Sequence, residues 1–238
     1  GGVDAAEWRV KLYDGDPDAG GKKITEYTSG EEDVILADGG NTVSINSSQL
    51  ITNGTLLGGS GNDVITMSGS GAIGTINLGA GTDSITLAGN NVLSISNTET
   101  VTTSIGTDVL NFTGGGTTSI LASSGSDSIS LSNTNTETIK YAATNELGDN
   151  IMGFSSGTDK LQFSRSAFNG DNANNNGILD YGIESGAGLV QSTTNKHFVF
   201  NQTSKQLYYD ADANGAGAGF VVANLDTTIA DGDIIFVA

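Results

Sequence analysis

The sequence contains no cysteine, one proline (Pro17) and one histidine (His197). Without cysteine the chain has no disulfide bonds and no thiol chemistry in any compartment. A single histidine excludes the His-Glu-x-x-His motif of zinc hydrolases. We therefore expect a protein that is not an enzyme, in which His197 is a strand residue beside a hairpin.

Basic residues are also scarce. Nine Lys and Arg oppose 27 Asp and Glu, which gives a net charge of -18 at pH 7. Such a surface repels the phosphates of nucleic acids and of anionic membranes, so neither is an expected partner. The same charges repel one another, and hydrophobic residues make up only 36% of the chain. We expect marginal stability until a divalent cation neutralises part of this charge.

Long apolar runs are absent as well. None approaches the roughly 20 residues that a membrane-spanning helix needs, so no membrane span is expected. An N-terminal signal peptide is not visible either. A signal peptide could have been removed, could lie outside this chain, or could never have been needed.

Glycine, by contrast, is abundant, with 35 residues. Together with Ser, Thr, Asn and Asp it favours turns and short strands, and the sequence is expected to be all-β. Between residues 31 and 148 a pattern Gly-x-Asp-x-apolar-x-apolar repeats. Its aspartates are Asp63, Asp83, Asp108 and Asp127, and Asp33 belongs to a weaker copy.

A second strand follows each copy, and two of these strands share the motif Asn-Thr-Glu-Thr, at 97–100 and 135–138. One repeat is therefore about two strands and two turns, the length of one coil of a parallel β-solenoid. A coil of this length is longer than two joined nonapeptides. We expect only one edge of the solenoid to carry the Gly-x-Asp turns.

The strongest motif is Gly58–Thr66, which fits the nonapeptide Gly-Gly-x-Gly-x-Asp-x-apolar-x over its whole length. The segment 79–86 departs from it only at the second glycine. Calcium takes six to eight oxygen ligands, and a glycine turn can direct backbone carbonyls at an ion while the aspartate supplies a carboxylate. The motif therefore predicts calcium as the cofactor.

These repeats resemble the repeats-in-toxin (RTX) family of calcium-binding β-roll proteins. The resemblance implies a right-handed parallel β-solenoid that binds calcium between successive turns and folds outside the cell. It implies metal ligands in each turn. They are Gly59, Gly61, Asp63, Gly79, Gly81, Asp83, Gly106, Asp108, Gly125 and Asp127, followed by Asp149 and Asp159. Plain Asx turns remain an alternative for Asp63, Asp83, Asp108 and Asp127, and the copies at Gly106 and Gly125 also lack the leading glycine pair.

The C-terminal part is richer in aromatic residues and resembles the target region of type I secretion substrates. Residues 148–163 look like the segment that closes many RTX proteins, and residues 198–215 look like the secretion hairpin. The terminal Asp233–Ala238, an acid followed by apolar residues, is similar to the export signal. The resemblance implies export by type I secretion machinery, which would explain the missing N-terminal signal.

Three regions are thus expected. Residues 1–30 form an N-terminal strand and cap or the end of a preceding domain, residues 31–148 the RTX-like β-solenoid, and residues 149–238 a capping β-sandwich or hairpin region. Two loops in the last region, 171–184 and 210–215, partly match calcium loops. The first carries neutral Asn at the ligand positions, and the second has no Glu at its twelfth position, so plain loops are the favoured interpretation.

Three functions fit this pattern. The first is a structural module of an S-layer, adhesin or filament, extracellular or on the bacterial surface, with self-assembly into a lattice or filament. The second is the calcium-binding export tail of a larger secreted hydrolase such as a protease or lipase. The third, an ice- or glycan-binding solenoid, is disfavoured because Thr98, Thr100, Thr136 and Thr138 do not repeat regularly.

Overall fold

A computed structural model describes residues 10–11, 23–24, 34–36, 38–46, 54–168, 183–194, 196–213, 217 and 219–238. Several predicted features lie wholly or partly outside these residues. They are most of the N-terminal cap, Asp33, most of the 171–184 loop, and Asn214 and Gly215.

The described chain forms two β-sheets whose strands alternate along the sequence, with strands numbered in chain order. In spatial order, sheet A holds β1 (Val10–Lys11), β3 (Val34–Ile35), β5 (Thr55–Leu57), β7 (Gly71–Asn77), β9 (Asn91–Ser96), β11 (Val109–Gly114), β13 (Ser128–Ser130), β15 (Asp149–Met152), β20 (Phe220–Leu225), β19 (Gln206–Tyr209), β18 (Phe198–Asn201) and β17 (Ile183–Gly186).

Sheet B holds β2 (Lys23–Ile24), β4 (Thr42–Asn46), β6 (Val64–Ser68), β8 (Ser84–Ala88), β10 (Thr100–Thr102), β12 (Thr117–Leu121), β14 (Thr136–Tyr141), β16 (Lys160–Ser164) and β21 (Ile234–Val237). One strand from each sheet makes one coil, and neighbouring coils pair in parallel. The protein is therefore an all-β parallel solenoid of about six turns, as predicted.

The core is a narrow double ladder of apolar side chains. Alternation along each strand turns every second residue inward, and the parallel register stacks equivalent residues of successive coils. One ladder runs through sheet B: Val43, Ile65, Ile85, Val101, Ile120, Ile139, Leu161 and Ile234. Each is buried, and full burial of such a side chain stabilises the fold by about 1.5–3 kcal/mol.

The C-terminal region continues both sheets. Strand β20 pairs in parallel with β15, and β21 pairs in parallel with β16. Strands β18, β19 and β20 form an antiparallel meander, which confirms the predicted hairpin between β18 and β19. The helix α1 (Arg165–Phe168) follows β16. None of the helices among the described residues is long and apolar enough to cross a membrane.

Aromatic rings close this end of the solenoid. Tyr141 stacks on Phe163 with ring centroids 5.2 Å apart, and Phe163 lies 4.5 Å from Phe198. Phe168 and Tyr209 pack edge-on beside them at 5.1 Å. The last coil is therefore covered by rings contributed by both the solenoid and the C-terminal region.

Asp233 fixes the terminal strand β21 to this end. Its buried carboxylate accepts hydrogen bonds from Ser156 Oγ (2.6 Å), Gly157 N (2.7 Å) and Ala230 N (2.8 Å), and Lys160 Nζ lies 3.6 Å away. Burial alone would raise the pKa of Asp233, but these hydrogen bonds and the charge of Lys160 outweigh it and lower the pKa.

We expect Asp233→Ala to reduce the free energy of unfolding by about 3 kcal/mol, because three hydrogen bonds to one buried, charged acceptor are lost at once. Urea denaturation measures this change. Asp226→Ala is the control, since Asp226 is exposed and accepts one hydrogen bond, from Gly153 N. Equal losses in both variants would show that β21 is not held by Asp233.

Candidate metal site

The Gly-x-Asp turns lie on two edges of the solenoid. Asp63 and Asp83 precede strands of sheet B, whereas Asp108 and Asp127 precede strands of sheet A. The prediction of a single edge is therefore wrong. The interval between Asp83 and Asp108 spans one and a half coils, because β9 and β10 intervene, and this half coil moves the motif from one edge to the other.

The first carboxylate column consists of Asn41, Asp63, Asp83 and Glu99 in sheet B. Asn41 N donates to Asp63 Oδ1 (2.8 Å), Asp63 N to Asp83 Oδ1 (2.7 Å), and Asp83 N to Glu99 Oε2 (2.6 Å). These bonds step across 22, 20 and 16 residues, one coil each. Each acid thus holds the backbone of the coil before it.

The second carboxylate column consists of Asn91, Asp108, Asp127 and Asp149 in sheet A. Asn91 N donates to Asp108 Oδ1 (2.7 Å), Asp108 N to Asp127 Oδ1 (2.9 Å), and Asp127 N to Asp149 Oδ1 (2.9 Å). The two columns follow the same rule. An acid at the start of a strand accepts the amide N–H of the equivalent residue one coil earlier.

Strand alternation explains why these acids are buried. Each stands two residues before a core residue, as Asp63 does before Ile65, so both side chains point to the inner face. Asp63, Asp108 and Asp127 are 0% exposed and Asp83 is 1% exposed. Carboxylates this deeply buried require neutralisation or full hydrogen bonding.

Full hydrogen bonding is not reached from within the described part of the chain. No donor there contacts Oδ2 of Asp63, Asp83, Asp108 or Asp127, although each of these atoms is buried. A buried charged oxygen without a partner costs several kcal/mol. The columns therefore present a row of hard oxygens that suits a divalent cation.

The glycines of the turns bring further oxygens to the same edges. The carbonyl oxygen of Gly61 lies against Cα of Gly81, and that of Gly106 lies against Cα of Gly125, so closely that a Cβ would overlap it. Both receiving glycines have positive φ, +154° for Gly81 and +152° for Gly125. At the first turn, a Cβ on Gly58 would stand 2.5 Å from Oδ2 of Asp63.

Turns of this type suit calcium, which takes carboxylate and carbonyl oxygens together. The predicted residues Gly59, Gly79, Gly61 and Gly81 line one edge, and Gly106 and Gly125 the other. Among the described residues no group of three or more His, Cys, Asp or Glu is placed to hold a metal ion. Each column has one acid in each of three successive coils, so backbone carbonyls would complete a coordination shell.

Burial perturbs the acidity of both columns. It raises the pKa of Asp63, Asp83 and Asp108 above 3.8, and raises that of Asp127 to about 6. The charged form of each side chain is therefore disfavoured in the folded protein unless a cation accompanies it.

Asp149 and Asp159, which were also predicted as ligands, differ from the other four aspartates. Asp149 Oδ2 accepts the hydroxyl of Tyr141 at 2.9 Å, and Asp159 Oδ2 accepts Ser155 N at 2.8 Å. Their Oδ1 atoms accept backbone amides, as in the columns. Both oxygens of each are thus hydrogen-bonded within the protein, and burial first of all raises the pKa of Asp149 to about 7.

Sequence reasoning missed Glu99 and Glu137 as members of this arrangement. Both occupy Asn-Thr-Glu-Thr motifs, which predicted strands but no ligand. The register places Glu99 opposite Asp83 and Glu137 opposite Asp159. The available signal was spacing, because each Glu stands two residues before a core aliphatic residue, as the aspartates do.

Three other polar features that could suggest a reactive centre have structural roles in the described part of the chain. His197 is buried, and its Nδ1 lies 2.7 Å from the carbonyl oxygen of Asp210. The segment 153–157 has the letters Gly-x-Ser-x-Gly, but it joins strand β15 to strand β16, whereas the serine-hydrolase elbow joins a strand to a helix. In the 210–215 loop, Asp210 Oδ1 accepts the amide of Asp212 at 3.3 Å, the geometry of a turn.

No protein-family model matches the chain, and no curated protein matches it significantly.

Proposed function

We propose that this protein is a calcium-dependent structural module of an extracellular or cell-surface protein of the RTX type, with no catalytic role. The proposal rests on four buried carboxylate oxygens that have no hydrogen-bond donor among the described residues. They are the Oδ2 atoms of Asp63, Asp83, Asp108 and Asp127. A ligand that binds the folded state alone stabilises it, and calcium is the ligand that these oxygens suit.

Charge supports the same proposal. With a net charge of -18, the chain gains stability from any divalent cation that it binds in the folded state. Where calcium is scarce, as in the cytosol, the columns would disfavour folding. Outside the cell calcium would favour it. This difference suits a chain that is exported unfolded, and the C-terminal region is the proposed signal for type I secretion machinery.

A surface role in an S-layer, adhesin or filament, with self-assembly of copies, fits a rod of stacked coils. Solenoids add length by adding coils, and each coil contacts only its neighbours. The outward faces carry mostly small hydroxyl side chains, such as Thr66, Thr86 and Thr102 in sheet B. These features favour scaffolding over catalysis.

The double variant Asp63→Asn, Asp83→Asn tests the calcium proposal. Asn keeps the Oδ1 acceptor of each ladder bond but removes the charge that attracts calcium. We expect the calcium concentration at the folding midpoint to rise about tenfold, equivalent to about 1.4 kcal/mol. Circular dichroism during a calcium titration measures it.

The matched control is Asp38→Asn with Asp226→Asn, which also removes two acids. Both are exposed, and their partners are Ser60 Oγ and Gly153 N. The control should titrate like the unmodified chain. Identical midpoints for the test variant and the control would mean that the aspartate turns are only structural.

A further inference from the structure

Glu137 is the most deeply buried acid for which neither the sequence motifs nor the proposed turns account. It is 0% exposed and begins the inner face of β14, two residues before Ile139. Its Oε1 accepts the amide of Ser132 at 3.2 Å. Its Oε2 is buried and makes no hydrogen bond of normal geometry, although the side-chain amide of Asn135 lies close enough to lower the pKa of Glu137.

A second carboxylate stands next to it. Asp159 is also 0% exposed; its Oδ1 accepts the amide of Glu137 at 3.0 Å, and its Oδ2 accepts the amide of Ser155 at 2.8 Å. Burial is the largest cause that raises the pKa of Glu137. The charge and side-chain contact of Asp159 raise it further, and the pKa reaches about 7. Two adjacent buried carboxylates cannot both be ionised unless a proton or a cation lies between them.

The nearby basic residues of the two strands are directed elsewhere. Alternation turns Lys140 of β14 and Lys160 of β16 to the outer face, opposite to Glu137 and Asp159. Lys160 lies 3.6 Å from Asp233. The two negative charges of this pair would balance the two positive charges of a divalent cation. A single aspartate in one turn balances only one of them.

We propose that Glu137, from a turn without glycine, and Asp159, from the turn Gly157-Thr158-Asp159, together form a calcium site distinct from those at Asp63, Asp83, Asp108 and Asp127, which joins the solenoid to its C-terminal region. The proposal takes only the identity of the cation from the proposed function. The position supports the joining role. Glu137 belongs to β14, while Asp159 precedes β16, the strand on which β21 is paired. A cation here would connect the last coils on which the C-terminal region packs.

The hydroxyls of the adjoining turn add oxygens of the right kind. Ser132, whose amide contacts Glu137, is buried, and its Oγ lies 2.8 Å from Thr134 Oγ1. Calcium accepts hydroxyl and carbonyl oxygens beside carboxylates. The turn before β14 therefore offers a mixed set of hard ligands, without glycine and without the nonapeptide.

The test is the number of calcium ions bound by the full chain, measured by equilibrium dialysis with calcium at pH 7.5. We expect Glu137→Gln to bind one ion fewer than the unmodified chain and Asp38→Asn to bind the same number. Gln also removes a buried charge, so the chelated variant should melt higher than the chelated unmodified chain. Its stabilisation by calcium should be smaller.

A second variant keeps the test decisive if Glu137→Gln fails to fold. A quadruple variant should retain one ion when Asn replaces Asp63, Asp83, Asp108 and Asp127. Adding Asp159→Asn to that variant should release the remaining ion. An unchanged count in Glu137→Gln would overturn the site and leave the Gly-x-Asp proposal standing, because the pair would then share a proton. No calcium bound by the unmodified chain would overturn both.

Discussion

Removing calcium with a chelator at pH 7.5 should lower the melting temperature by roughly 20 °C or more. At a free concentration one hundred times Kd, each site adds about 2.7 kcal/mol, so four turns contribute on the order of 10 kcal/mol. Most domains are stable by only about 5–15 kcal/mol. We therefore expect the region from residue 55 to residue 150 to lose its strands in the chelator and to regain them when calcium is added.

Circular dichroism melts in chelator, calcium and magnesium check this result. Magnesium is the control because it demands a small octahedral shell and gives up its waters reluctantly, so it should restore little stability. Superimposable melts with calcium and with chelator would contradict both the calcium sites and the export proposal that depends on them. Equal rescue by magnesium would point instead to general charge screening.

The chelated protein should become more stable as the pH falls from 8 to 5, opposite to the usual behaviour of acidic groups. Burial first of all raises the pKa of Asp127 to about 6 and those of Asp149 and Glu137 to about 7, from 3.8 for Asp and 4.5 for Glu. Between about pH 4 and 7 the folded state therefore binds more protons than the unfolded state. Stability is fully present below this window and falls as the pH rises through it.

The expected size is several kcal/mol. A carboxyl whose pKa rises by about 2 on folding loses about 3 kcal/mol of folding free energy once it is ionised in both states. For a chain of this length the change corresponds to about 10 °C in melting temperature. Three acids have lowered pKa values: Asp233, Asp212 and Glu184, the last at about 2. They have the opposite effect, but they act below pH 5.

Saturating calcium should reverse this pH dependence. Calcium binds the ionised carboxylates and competes with protons, so the loaded protein should be more stable at pH 7.5 than at pH 5. Melting temperatures across pH 5–8, with calcium and with chelator, measure both slopes. If the two slopes have the same sign, the buried acids do not exchange protons for calcium.

The sequence predicted the solenoid well because its rules are local. Gly-x-Asp followed by alternating apolar residues defines a turn and a strand, and repetition of such units implies parallel stacking. The hairpin between β18 and β19 was likewise evident from two aromatic strands around a polar turn. Composition alone distinguished the Gly-rich repeats from the aromatic-rich C-terminal part of the sequence.

The division of the turns between two edges was not predictable from spacing alone. Asp83 and Asp108 are separated by 25 residues, which looks like one long coil. In the structure, Asp83 pairs with Glu99 across only 16 residues, so the coil there is short and a half coil fills the remainder. Coil length depends on how tightly each turn packs on the one below, and that is a tertiary property.

Tertiary contacts also decide which buried aspartates have a hydrogen-bond donor at Oδ2. Asp127 and Asp149 are equivalent in successive coils and each closely follows a glycine, yet only Asp149 Oδ2 receives the Tyr141 hydroxyl. Tyr141 lies eight residues earlier in the chain and reaches Asp149 only because β14 and β15 belong to successive halves of the coiled path. No short motif contains that relation.

The ladder of acids has a mechanical consequence. Each carboxylate accepts a hydrogen bond from an amide of the coil before it, and the strands run across the long axis of the solenoid. Tension applied between the two ends would therefore separate one pair of neighbouring coils at a time and would not break the hydrogen bonds of many coils together. Calcium ions bound at those boundaries would raise the force that each step requires, so the stretched solenoid would lengthen in steps.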